Sequence, residues 1–77
     1  MTKLGTIILK TRNKRGMSLQ DVAGAAGTTK QTVWDFEAGR RRNPTIKTLL
    51  GIATALQIST IKLAVAALKD LDEGRGK

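Results

Sequence analysis

Apolar side chains recur three or four residues apart through most of the chain, and the residues that interrupt them are those that start and stop helices. Leu4, Ile8 and Leu9 give residues 4–15 an apolar side, Lys and Arg fill the other, and Gly16 closes the segment. Ser18 is placed as an N-cap, and Asp21 stands three residues on, where an acid can reach back to the free amides. The spacing predicts a short Ala/Gly-rich second helix over 19–26. Gly27 is the expected chain reversal, because a left-handed backbone costs glycine little. Thr28 or Thr29 then caps a third helix that runs to about residue 38, and Gly39 ends it. Arg40, Arg41, Arg42, Asn43 and Pro44 form a polar loop hostile to helix, since the proline pushes Asn43 out of helical geometry. Thr45 starts a fourth helix through residue 56, with Ile46, Leu49, Leu50, Ala53 and Leu56 as its apolar stripe. Ser59 caps a fifth, from 60 to about 70, ahead of a frayed Gly/Lys/Arg tail. The expected fold is all-α: a compact five-helix bundle over residues 1–72 with a disordered tail at 73–77.

Ala23, Gly27 and Val33 carry more than periodicity. Two short helices can cross steeply over a tight turn only if the first offers a small residue at the crossing, as Ala23 does. The turn must also tolerate positive φ, which Gly27 allows. The second helix must send an apolar residue back onto the first, and Val33, then Phe36, can do so. This spacing is the sequence form of a helix-turn-helix built from the second and third helices. An ordinary helical hairpin within a bundle would need no such coincidence of positions, although Ala, Gly and Val are common residues.

Charge sharpens the picture. Fourteen Lys/Arg against six Asp/Glu give a formal charge of +8 over 77 residues. The first fifty residues hold ten basic and three acidic side chains, whereas the remainder is nearly neutral. That division suits one part that meets a polyanion and another that meets protein; the plainer alternative is that the charge keeps a small protein soluble. With no His and no Cys, His- or Cys-based catalysis, disulfides and the usual zinc and iron–sulfur ligands are excluded. Only Trp34 and Phe36 are aromatic, too few for stacking single-stranded bases. No apolar run approaches the roughly 20 residues of a membrane span, and no signal peptide is expected. These features suggest a cytoplasmic, nucleoid-associated protein that needs no metal or cofactor.

The residues Leu4, Gly5, Ile8, Arg12, Gly16–Met17–Ser18, Val22–Ala23, Gly27 through Val33, Phe36 through Gly39, Pro44, Thr48–Leu49, Ile52–Ala53, Ala55–Leu56 and Ile58 resemble, in register, the phage repressor/Cro-like (XRE-type) helix-turn-helix family. The likeness covers roughly residues 4–68. The run from Asn43 to Leu49 and the small size are similar to controller proteins of restriction–modification systems, with short phage regulators and antitoxin-type repressors about as close. The resemblance implies a lambda-repressor-like five-helix fold, a DNA-binding homodimer and transcriptional control. It also implies an ion pair between Arg12 and Glu37, each of which on sequence alone is equally an exposed charge. Where many relatives begin the second helix with a phosphate-binding Gln, this chain has Leu19; the contact is then missing, or Gln20 takes it over.

A helix placed end-on in the major groove shows the bases its first turn and one strip beyond: here Thr29, Lys30, Gln31, Thr32, Trp34 and Asp35. Gln31 can bond adenine N6 and N7, and Lys30 can reach guanine O6 and N7. The resemblance implies base contacts at Lys30, Gln31, Trp34 and Asp35, with Thr29 or Thr32 on a phosphate or a methyl group. Helical phase turns Trp34 outward, against a partly buried structural role. Arg40, Arg41 and Arg42 follow directly and suit phosphate clamping rather than mere solvation. Asn43 and Lys47 join them near the free amides of the fourth helix, with Thr45 and Thr48 beside them. Lys10, Lys14 and Arg15 are peripheral.

Ile61, Leu63, Ala64, Val65, Ala66, Ala67, Leu68 and Leu71 make the fifth helix apolar around most of its circumference. Such a helix must be covered on more than one side. A second copy, docked through Ile61, Val65 and Leu68, would do so; the alternative is burial in its own core with a small exposed patch. The reading that results is a sequence-specific double-stranded-DNA-binding regulator, homodimeric on a palindromic operator, that blocks or recruits RNA polymerase. Its rivals are an antitoxin-type autoregulator that sequesters a toxin protein, and a non-specific nucleoid or RNA-binding protein. Asp35 and Glu37 are the nearest approach to a catalytic carboxylate pair, and so small a domain has little room for a pocket around them; no enzymatic activity is expected.

Overall fold

The computed structural model describes residues 2–75, which form five helices in chain order: α1 Lys3–Lys14, α2 Leu19–Ala26, α3 Lys30–Glu37, α4 Ile46–Leu56 and α5 Thr60–Arg75. Each starts behind a hydroxyl side chain. Thr2, Thr29 and Thr45 accept from the backbone amides of Gly5, Thr32 and Thr48, and Ser59 accepts from those of Ile61 and Lys62. Ser18 and Asp21 close a reciprocal capping box at 2.9 and 3.0 Å. That bond to the Ser18 amide, followed by the one to its hydroxyl, holds the Asp21 carboxyl below its ordinary pKa.

The helices enclose one core, whose largest wholly buried side chains are Phe36, Leu4, Ile8, Ile52, Leu56 and Leu63. Two glycines let backbones approach more closely than side chains would permit. A Cβ on Gly51 of α4 would stand 2.5 Å from the Ala26 carbonyl oxygen at the end of α2, and one on Gly5 of α1 would collide with the Phe36 carbonyl at the end of α3. Leu49, Ile52, Ala53 and Leu56 are buried, whereas Ile46 and Leu50, expected on the apolar stripe, are 82% and 52% exposed. The stripe expected from the spacing is displaced around the helix, with Ile52 rather than Ile46 and Leu50 completing the buried face.

α5 lies against α1 and α4, and it supplies a cap of its own. Asp70, which is buried, accepts from the amides of Lys3 and Leu4 at 2.8 and 3.0 Å. Two otherwise orphaned donors of α1 are thus satisfied from the far end of the chain. The helix continues to Arg75, past the expected end near residue 70, so the boundary expected at 72 falls inside it. Of the expected tail, residues 76 and 77 lie outside the described residues. No helix is long and apolar enough to cross a membrane among the described residues.

Candidate nucleic-acid interface

The turn between α2 and α3 has the predicted construction. Gly27 adopts φ 71°, and Ala23 and Val33 are completely buried where the two helices meet. With eight residues, α3 is too short to hold itself together in water. Three devices fix it. Val33 and Phe36 are sunk in the core, and Gly5 brings α1 against its last turn. Arg12 grips its final residue through two bonds, Nε to Glu37 Oε2 at 2.7 Å and Nη2 to Oε1 at 3.1 Å. The third nitrogen of the same guanidinium donates to the Met17 carbonyl, so one side chain joins α1, the α1–α2 turn and α3. The bonds to Glu37 raise the Arg12 pKa above its ordinary value, against a smaller opposing effect of burial.

With one side clamped, the other side of α3 carries the residues expected to read bases. Lys30, Gln31 and Trp34 are exposed, and Thr32 and Asp35 half-buried. The Thr29 and Thr32 hydroxyls bond each other at 2.8 Å, and Gln31 Nε2 donates to Asp35 Oδ1 at 2.9 Å. Trp34 points outward, as its phase predicts. Lys30, Gln31, Trp34 and Arg40 line a shallow depression of about 600 Å³ together with Leu19. Leu19 is half-buried against the core, a packing role rather than a polar one, and Gln20 is exposed.

The arginine run is set by how α3 ends. Gly39, at φ 79°, sends its amide to the Phe36 carbonyl and directs that of Arg40 to Asp35, a Schellman closure that the Arg41 amide extends to the same Asp35 carbonyl. The Arg40 guanidinium lies over the Trp34 ring at 5.4 Å, and that of Arg41 over Phe36 at 5.9 Å. Both charges are therefore carried on aromatic faces beside the helix. Arg42, Asn43 and Lys47 are exposed along the loop and the first turn of α4. Of the expected residues, the structure brings Lys30, Gln31, Trp34 and Arg40 together around one depression. Missed at the sequence level were the Gln31–Asp35 bond, whose one-turn spacing was visible, and the Trp34–Arg40 stack, which depends on the turn at Gly39. Among the described residues no group of three or more His, Cys, Asp or Glu comes together as metal ligands do.

α5 shows the second surface of interest. Leu63, Ala66 and Ala67 are buried, while Ile61, Leu68 and Val65 remain 74%, 64% and 43% exposed. The helix that reads as apolar all round is covered on one side only.

A helix-turn-helix family model matches residues 8–63. Among curated proteins, the HTH-type transcriptional regulator y4dJ of Sinorhizobium fredii is 36% identical over 64 residues, 82% of each chain. Among solved structures, the restriction–modification controller protein C.AhdI of Aeromonas hydrophila superposes with a TM-score of 0.74 at 31% identity, covering 80% of this chain and 92% of that one. SinR, the master regulator for biofilm formation, in complex with DNA, gives 0.74 at 30% identity over 79% of this chain and 97% of that one; the protein comes from Bacillus subtilis.

Proposed function

The chain belongs to the helix-turn-helix family, and from that premise we propose that it is a transcriptional regulator that binds double-stranded DNA sequence-specifically, as a homodimer on a palindromic operator. The observation that carries the reading is the outer side of α3, where Lys30, Gln31 and Trp34 stand clear of the core while the inner side is locked to α1. A rigid rod with a polar edge fits the major groove, and SinR, of the same fold, was solved on DNA. In this reading Lys30, Gln31, Trp34 and Asp35 face bases. Thr29, Thr32, Asn43, Lys47 and the three arginines hold sugar–phosphate, where neutralised phosphates release counterions. Ile61, Val65 and Leu68 of α5 meet their copies across a two-fold axis, which sets the two α3 helices about one DNA turn apart. Bound there, the dimer blocks or recruits RNA polymerase.

Selection from random duplexes, followed by footprinting, tests this. The expected product is a short two-fold symmetric sequence preferred strongly over random DNA. Gln31→Ala should relax the preference at one base pair of each half-site, whereas Arg41→Ala should weaken every sequence alike and reduce the salt slope by about one. Recovery of no enriched motif defeats the proposal.

A further inference from the structure

Gln31 and Asp35 lie one turn apart on the outer side of α3, and the Gln31 amide nitrogen donates to Asp35 Oδ1 at 2.9 Å. A glutamine amide by itself is two-faced. Turned one way about its last bond it offers a carbonyl oxygen beside an N–H; turned the other way it leads with its two N–H donors. The first orientation matches N6 and N7 of adenine, and the second matches the two acceptors O6 and N7 of guanine. A carboxylate can only accept. Next to Asp35 the amide must therefore keep its nitrogen toward the carboxylate, because the flipped form would set acceptor against acceptor.

We infer that Asp35 is a specificity-determining residue that acts through Gln31: it fixes the amide so that the pair meets a base bearing an exocyclic amine, adenine foremost, and rejects guanine. The inference rests on the proposed DNA-binding reading of α3. Adenine leads over cytosine because the remaining Gln31 N–H finds N7 as its acceptor beside the amine. Rejection of guanine has two sources in the same carboxylate. It denies Gln31 the donor-first orientation, and in the proposed docking, with Asp35 facing bases, its own oxygens meet O6 and N7, which are acceptors too. A negative charge next to a polyanion weakens binding to every sequence. Lys30 and Arg40, which share the depression with Gln31, offset that general cost, and what remains is the discrimination.

The test uses the full chain and the site enriched by selection. The base pair read by Gln31 is the one whose preference disappears in Gln31→Ala, and all four bases are then placed there. The wild-type chain is expected to favour adenine over guanine by about tenfold or more. Asp35→Asn keeps a hydrogen-bond partner for Gln31, but an amide can donate as well as accept and so tolerates both orientations. The adenine-to-guanine ratio should fall toward one in Asp35→Asn and in Asp35→Ala. A merely solvated Asp35 would give a uniform rise in affinity for all four duplexes with the ratio unchanged. That result, or a wild-type preference for guanine at the position, or a Gln31→Ala chain that keeps every preference, overturns the inference while sequence-specific binding stands. A wild-type chain that enriches no sequence overturns the underlying reading of α3 as well.

Discussion

The outer sides of α3 and α5 both face solvent, yet they are built on opposite principles. α3 is short and almost wholly determined from behind. Its inner residues are in the core, its last carboxylate is held by Arg12, its end is closed at Gly39, and its exposed side chains bond or stack on one another. α5 is twice as long, and only its inner side is engaged; Ile61, Val65 and Leu68 on the outer side have water for company. A polar surface organised in advance suits a ligand of fixed geometry, for which ordering costs are best met before the encounter. An apolar surface left bare suits a partner that removes it from water, where contact area matters more than the direction of individual bonds.

The sharpest way to break the contrast is to release α3 from behind. Glu37→Ala leaves the Arg12 guanidinium without its buried partner, with side-chain exposures of only 14% and 8% for the pair. A loss of about 3 kcal/mol is expected, seen in a thermal melt as a fall of roughly 12 to 24 °C. If the melting temperature holds, α3 is seated by core packing alone and the clamp is incidental. On α5 the expected effect lies elsewhere. Leu68→Lys should change the stability of the single subunit by no more than about 0.5 kcal/mol. It should weaken the proposed dimer by tenfold or more, since burying an unpaired charge costs well over the 1.4 kcal/mol that tenfold represents. Sedimentation over a concentration series reads this directly, and an unchanged mass at every concentration would place the dimer contact elsewhere.

The smallest effect concerns pH. Asp21, with its pKa lowered in the folded chain, contributes to stability above the ordinary carboxylate range and loses that contribution as pH falls through its folded value. A shallow acid-side decline in melting temperature below about pH 4 is expected, reduced in Asp21→Asn. An identical decline in the variant would assign it to other carboxylates. The raised Arg12 pKa works the other way, its stabilisation being present below the ordinary arginine range and lost only in strong alkali. The α3 clamp is accordingly indifferent to Arg12 titration across neutral pH.

What the sequence made legible was local. The capping box at Ser18 and Asp21, the reversal at Gly27 and the outward phase of Trp34 each depend on residues within a turn or two, and each is found where the spacing put it. The inward face of α4 was only partly legible, because Ile46 and Leu50 fit the same three-and-four spacing as Leu49 and Ala53, and periodicity alone does not say which edge of the stripe the neighbouring helices cover. Arg12 and Glu37 stand 25 positions apart, and it was family likeness rather than periodicity that paired them. Asp70 gave no signal at all. An aspartate late in a helix reads as a solvated charge, and nothing near it in the chain hints that its oxygens are spoken for.

That aspartate has a consequence for how the molecule is completed. The amides of Lys3 and Leu4 depend on a carboxylate 67 and 66 positions further along the chain, so the start of α1 is completed only once α5 is docked. Without that carboxylate the opening turn of α1 would fray, and with it the seat that Gly5 provides for α3. Loss of Asp70 would thus reach α3 by way of α1.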